Sequence, residues 1–298
     1  NSSGYTTIEF DAVTTDETSV TNVASGTAIA VTDEGSDILA INAASAGSSL
    51  SVTYEDANEY DGGDTLSFGA NVSTVSVAVD EDDTDVDEID MVFAGNITLN
   101  ITGDDSTDDV LALVLDQALT ATSVAINSTA AVQYDASADT LDDDVNLTFA
   151  GSTGVVTFTV TAAQLDTADS TFVGGSGSTD AIAFDASNVD VDAGTISGFE
   201  TVTVSDANAG TVDMAAFAGE TAISLDADTG GVTLQNVASG TTITLEDGAA
   251  TQAVAIDSDD ADAAGNSLTI VLSTADTTDL DDVTVTDFET VTIDSDVD

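Results

Sequence analysis

Short apolar bursts recur about every ten residues along much of this chain, a spacing that accommodates a strand and a turn but not a helix. Between Thr221 and Ile270 they centre near Ile223, Val232, Ile243 and Val254, each short and alternating. The same phrases recur in the same order at the N-terminus. Thr6–Ala12 (T-T-I-E-F-D-A) echoes Thr221–Ala227 (T-A-I-S-L-D-A), and Asn22–Thr27 (N-V-A-S-G-T) is identical to Asn236–Thr241. Ala40-Ile41 matches Ala255-Ile256, and Ala46–Leu50 (A-G-S-S-L) matches Ala264–Leu268 (A-G-N-S-L). Matched phrases in matched order mark a degenerate repeat protein. The predicted fold is all-β, an elongated repeat array built as a β-solenoid or as stacked small β-sandwiches.

A second phrase fixes the later part of the array. Asp180–Phe184 leads to I-S-G-F-E-T-V-T-V at Ile196–Val204, and the layout returns as Leu268–Leu272 leading to V-T-D-F-E-T-V-T-I at Val285–Ile293. A soft boundary near Gly174–Ser178 suggests an N-terminal β-repeat region over residues 1–175 and a C-terminal one over 176–298. With no Pro and no basic linker between them, one continuous array is equally consistent with the sequence. Alternation predicts strands at Leu66–Phe68, Val75–Val79, Ile89–Phe93, Ile97–Ile101, Thr122–Tyr134, Val145–Phe149 and Val155–Val160. Val110–Leu119 fits a helical face but also alternates between turns, and is read as a strand. Ala162–Ala168 is read as a helical turn.

Charge is the second constraint. The 298 residues hold 57 Asp and Glu and no Lys, Arg or His, a formal charge of -57. Such a balance favours disorder, but 42% apolar residues spread along the chain suffice for a core. With aromatics at 5%, that core is thin and made of small side chains. Two exposed carboxylates about 7 Å apart repel by roughly 0.6 kcal/mol in water, so cations from solution are expected to screen or bridge them. Nucleic acid and anionic membranes are excluded as partners, since nothing here can neutralise a phosphate. No apolar run reaches a membrane span. Adaptation to high salt would also enrich acids, but gives no reason to remove every Arg and His. The composition predicts an extracellular or cell-surface protein bathed in cations. Residue 1 is Asn, which points to a processed product or an excerpt of a longer array.

The order S-G-F-E-T-V-T-V (Ser197–Val204), A-F-A-G (Ala216–Gly219), G-V-T-L (Gly231–Leu234) and V-A-S-G-T-T-I-T-L (Val237–Leu245) resembles the β-strand repeats of bacterial surface-layer proteins and related RTX-type exoproteins. The resemblance covers Thr179–Ile293, and Thr6–Val52 through the internal repeat. It implies a secreted, non-enzymatic protein whose folding and lattice formation depend on calcium. The RTX nonapeptide is nearly missing: Gly62-Gly63-Asp64-Thr65-Leu66 alone approaches its Gly-x-Asp-x-Leu half.

Calcium takes six to eight hard oxygens, and Asp at alternate positions supplies several from one short segment. The best such stretch is Asp83, Asp85 and Asp87, flanked by Asp80 and Asp90. Further candidate ligands are Asp257, Asp259, Asp260 and Asp262, then Asp104, Asp105, Asp108 and Asp109, and Asp61 with Asp64. Asp142–Asp144 and Asp279 with Asp281 and Asp282 are weaker. An EF-hand is not supported, because Ala94 stands where a loop starting at Asp83 needs its bidentate Glu. The plain reading of each cluster is a solvated turn.

Catalysis has little material. Without His, Cys, Lys or Arg the chain has no His-based triad, thiolate, Schiff-base lysine or His-ligated zinc. A carboxylate pair of glycosidase type is chemically possible, but among 57 acids it has no specificity, and the chain is read as not an enzyme. Asn71, Asn96, Asn100, Asn127 and Asn146 begin glycosylation sequons, as does Asn1. Thr pairs such as Thr201/Thr203, Thr242/Thr244 and Thr290/Thr292 could form a flat array as in ice-binding solenoids, and more plainly are the outer face of half-buried strands.

The expected function is a secreted structural subunit of a surface layer or extracellular filament. Its partner is a second copy, head to tail, since the chain begins and ends partway through a repeat. The other reading is an adhesin spacer, or a sugar- or ice-binding cell-surface module with a surface glycan as partner.

Overall fold

A computed structural model describes residues 5–10, 18–31, 39–54, 65–79, 88–102, 110–115, 122–137, 141, 145–165, 170–177, 179–185, 195–205, 210–225, 231–246, 253–259, 265–273 and 282–294. The chain divides into two compact units, and in each the described residues form a parallel β-solenoid, one of the two all-β architectures that the spacing of the apolar bursts leaves open. Unit 1 is residues 1–157 with 175–177, and unit 2 is residues 158–174 with 178–298.

In unit 1 successive strands alternate between two sheets. The first holds β1 (Thr7–Phe10), β3 (Ala28–Val31), β5 (Ser48–Tyr54), β7 (Val72–Val79), β9 (Ile97–Thr102), β11 (Ser123–Ser128) and β13 (Asn146–Thr148), stacked in that order. The second holds β2 (Thr18–Val23), β4 (Leu39–Ala43), β6 (Thr65–Phe68), β8 (Glu88–Phe93), β10 (Val110–Leu115) and β12 (Ala131–Asp135). Parallel neighbours need a crossover, and here the crossover is a strand of the opposite sheet.

Unit 2 takes in β14 (Val156–Thr161) from Phe158 onward, a single helical turn at Ala162–Leu165, β15 (Thr171–Val173), β16 (Ala181–Asp185), β17 (Thr195–Ser197), β18 (Thr201–Ser205) and β19 (Thr211–Asp213). It continues through β20 (Phe217–Ala218), β21 (Ala222–Leu225), β22 (Thr233–Val237), β23 (Thr242–Leu245), β24 (Val254–Ser258), β25 (Ser267–Leu272), β26 (Val283–Thr286) and β27 (Thr290–Asp294). One sheet runs β14-β16-β18-β21-β23-β25-β27, another β15-β17-β20, and from β19 a third runs β19-β22-β24-β26.

Alternation is what makes these strands. β14 and β18 each present every second side chain inward, burying Val156, Phe158, Val160, Val202 and Val204. In-register parallel pairing then stacks like on like. Ile8, Ile29, Val52, Val77 and Ile101 form one inward column in unit 1, and Val202, Ile223, Ile243 and Ile270 align through adjacent pairs in unit 2. Each fully buried aliphatic contributes about 1.5–3 kcal/mol of transfer free energy, so the core comes from repetition of small residues. Aromatic rings fill the wider places: Phe68 stacks on Phe93 with centroids 5.5 Å apart, and Phe184 on Phe217 at 5.8 Å.

The sequence repeat is also a structural one. Asn22 and Asn236 both have positive φ, and at both the strand register shifts. Gly26 N–H donates to Ser49 O at 2.7 Å, as Gly240 N–H does to Ser267 O at 2.8 Å. Ser25 Oγ accepts from Ser49 N–H, as Ser239 Oγ does from Ser267 N–H, both at 3.1 Å. By these bonds β1, β2, β3, β4 and β5 correspond to β21, β22, β23, β24 and β25.

Two expectations meet the structure differently. Val110–Leu115 is a strand, paired with both β8 and β12, so its periodicity of 2 prevails over the helical alternative; residues 116–119 lie outside the described residues. Thr122–Tyr134 is not one strand. The chain turns at Thr129 and Ala130 and passes from β11 in one sheet to β12 in the other, with Ser128 Oγ donating to Ala130 O at 3.0 Å. That turn has no Gly or Pro to mark it in the sequence.

Candidate functional site

Charge is kept out of the strands. Among the described strands the acids are Glu9, Glu88, Asp90, Asp135, Asp185, Asp213, Asp257 and Asp294, eight of the 57 in the chain. The six strands β3, β5, β7, β9, β11 and β13 carry none. Their outward faces are Ala, Ser, Thr and Asn in register, as in the row Ser51, Ser76, Asn100 and Asn127. Asn127 Nδ2 donates to Asn100 Oδ1 at 2.8 Å across that row. In unit 2, β18, β21, β23 and β25 are likewise free of acid, with Thr201 and Thr203, and Thr242 and Thr244, half-buried on the outer face.

Of the candidate calcium ligands, Asp61, Asp64, Asp83, Asp85, Asp87, Asp104, Asp105, Asp108, Asp260 and Asp262 lie outside the described residues. So do the flanking Asp80 and Asp109. Asp90 sits in β8, in register with Val114 and Thr65. Asp257 is half-buried in β24 opposite Thr286, and its Oδ1 is enclosed with no hydrogen-bond partner among the described residues. Asp259 is exposed just beyond it, and its N–H donates to Val237 O at 3.0 Å. Among the described residues no three acids stand together as a metal-holding group.

The coil does bring together one acid pair absent from the sequence reading. Glu220 follows β20, and its carboxyl is raised above the ordinary 4.5, first by burial and then by the Asp259 carboxylate, against a lowering hydrogen bond from its own backbone. The two residues are 39 apart in sequence, too far for any local motif to reveal. Asp180, which opens the second repeat phrase, is fully buried: its N–H donates to Glu200 Oε2 at 2.9 Å, and its carbonyl accepts from Glu200 and Thr201 N–H.

The sequons divide by what their side chains already do. Asn71 Nδ2 donates to Ala43 O at 3.1 Å, and Asn127 Nδ2 to Asn100 Oδ1, so both amide nitrogens are committed to the neighbouring coil. Asn96 is exposed, with Oδ1 accepting from Thr122 and Ser123 N–H at 3.0 and 3.2 Å. Asn146 is exposed at the start of β13.

The largest departure from the buried pattern is at β27. Val291 pairs with Leu268 and Ile293 with Ile270, but Val291 is 40% and Ile293 65% exposed. Their counterparts in the other Phe-Glu-Thr-Val-Thr phrase, Val202 and Val204, are at 0% because β21 covers them. Among the described residues β27 therefore pairs on one edge alone and presents apolar side chains, the features that recruit a further strand.

Comparison with protein-family models, curated proteins and solved structures finds no match.

Proposed function

We propose that this chain is a secreted structural subunit of a surface layer or extracellular filament, which self-assembles head to tail and is stabilised by calcium. The exposure of Val291 and Ile293 on a strand whose repeat counterpart is buried carries the reading. In a repeat fold each coil is completed by its neighbour, and a heterologous contact that does not close yields an open filament. Calcium enters through charge: 57 acids with no Lys, Arg or His leave repulsion that cations must offset, and the Asp-rich segments, Asp83–Asp90 first, supply the oxygens. The same composition favours a structural role over catalysis.

The test is sedimentation velocity of the 298-residue chain at micromolar concentration, in calcium and in chelator. Large species in calcium that dissolve on chelation support this reading, and a monomer under both conditions contradicts it. A second reading, an adhesin spacer or a sugar- or ice-binding module, draws on the acid-free Thr, Ser and Asn faces. It predicts a monomer that binds glycan or shows thermal hysteresis.

A further inference from the structure

The internal repeat supplies a template for the head-to-tail contact in residue-level register. β27 is the counterpart of β18. Glu289 and Thr290 N–H donate to Asn266 O at 3.1 and 3.0 Å, as Glu200 and Thr201 N–H donate to Asp180 O at 2.9 and 3.0 Å. The inward pairs match as well, with Leu268↔Val291 and Ile270↔Ile293 repeating Ile182↔Val202 and Phe184↔Val204. β1 is the counterpart of β21. Thr7↔Ala28 and Ile8↔Ile29 repeat Ala222↔Thr242 and Ile223↔Ile243, and Ala28 N–H donates to Thr6 O as Thr242 N–H donates to Thr221 O. Within the chain β18 and β21 are partners, so the counterparts of two paired strands are β27 and β1.

Among the described residues both counterparts lack the cover that the template has. Ile8 is half-buried where Ile223 is 1% exposed, and Val291 and Ile293 are open where Val202 and Val204 are closed. The β18–β21 register is Thr201↔Ala222, Val202↔Ile223, Thr203↔Ser224 and Val204↔Leu225. Resting on the head-to-tail reading, we propose that β27 of one copy pairs in parallel with β1 of a second copy, in the register Thr290↔Thr7, Val291↔Ile8, Thr292↔Glu9 and Ile293↔Phe10. Thr6 and Thr7 N–H of the second copy donate to Glu289 O, as Thr221 and Ala222 N–H donate to Glu200 O. The junction buries Val291 and Ile293 and places Thr292 beside Glu9 on the outer face.

The chain has no Cys, so an engineered pair reports this register without background. Paired residues of adjacent strands lie about 4.8 Å apart, within the Cα range of a disulfide. A Thr292→Cys chain is mixed one to one with a Glu9→Cys chain in calcium under mild oxidation, and covalent products are weighed without reductant. Both positions are exposed, and circular dichroism of each variant checks that it folds. The expected product is the mixed dimer, formed at least tenfold faster than when Thr7→Cys replaces Glu9→Cys. Assembly without that mixed product overturns the register and leaves the self-assembly reading standing. A dominant Thr292→Cys homodimer overturns it in favour of tail-to-tail contact. A chain that stays monomeric, its last rung open to some other partner, overturns both.

Discussion

Asn22 and Asn236 hold the same left-handed backbone, φ 60° and 55°, at the same place in two copies of Asn-Val-Ala-Ser-Gly-Thr. At each the strand bulges and the chain turns into the next strand, so Asn does conformational work that most side chains do poorly. Replacing either with Ala is expected to cost about 1–2 kcal/mol, the penalty of the left-handed region, read as a shift of the urea midpoint. Gly should recover the backbone part of the loss at both positions. Recovery is incomplete at position 236, where Asn236 Nδ2 also donates to Asp213 Oδ1 at 2.7 Å. Equal effects of Ala and Gly at position 22 would show that backbone strain is not the cause.

Ile243 and Ile293 are the same residue type in the same sheet, buried and 65% exposed respectively. Ile243→Ala is predicted to destabilise the monomer by about 2–5 kcal/mol, and Ile293→Ala by less than about 0.5 kcal/mol. The expected effects on assembly are reversed: Ile293→Ala is predicted to weaken the proposed junction while leaving the melting curve of the monomer in place. Thermal melts of dilute protein beside sedimentation of concentrated protein separate the two.

Glu220 gives a pH dependence with a definite sign. Its folded carboxyl titrates above 4.5, raised by burial and by Asp259, so well below 4.5 it is protonated in folded and unfolded chains alike and costs nothing. As pH rises from 4.5 through the folded value, the unfolded chain ionises first and stability is lost. Glu220→Gln is therefore predicted to raise stability at pH 7, an effect that fades well below 4.5. Asp259→Asn should act in the same direction and less strongly. Denaturant midpoints against pH check this, and a Gln variant less stable at pH 7 would reverse the assignment.

Much of the fold was legible because a strand that is half buried writes its period into the sequence. Val202-Thr203-Val204 and Ile243-Thr244-Leu245 could be read that way, and the six-residue identity at Asn22 and Asn236 exposed the repeat. What alternation does not encode is which sheet a strand joins. The break at Thr129 and Ala130, the parallel pairing, and the third sheet starting at β19 all depend on neighbours a coil away. For the same reason Glu220 beside Asp259 was invisible, since a solenoid juxtaposes residues separated by whole coils. Asp-rich runs such as Asp83–Asp87 announce their charge in sequence, but alternation of Asp does not specify a ligand geometry.

The proposed calcium linkage rests on the charge. A site that binds the folded chain alone adds about 2.7 kcal/mol when calcium is a hundredfold above its dissociation constant. Chelation is predicted to lower the melting temperature well beyond a sodium-matched control of equal ionic strength. In chelator the pH of maximum stability should move downward, since protonation then relieves repulsion with no bound calcium to release. Coincident melts in chelator and in the sodium control would remove specific calcium from the account.

The most direct test is a cryo-EM reconstruction of the 298-residue chain assembled in calcium. The account predicts an open, head-to-tail polymer in which density continues from β27 of one copy into β1 of the next, with Val291 over Ile8. Isolated single chains at every concentration, or closed pairs joined through two copies of β27, would contradict it.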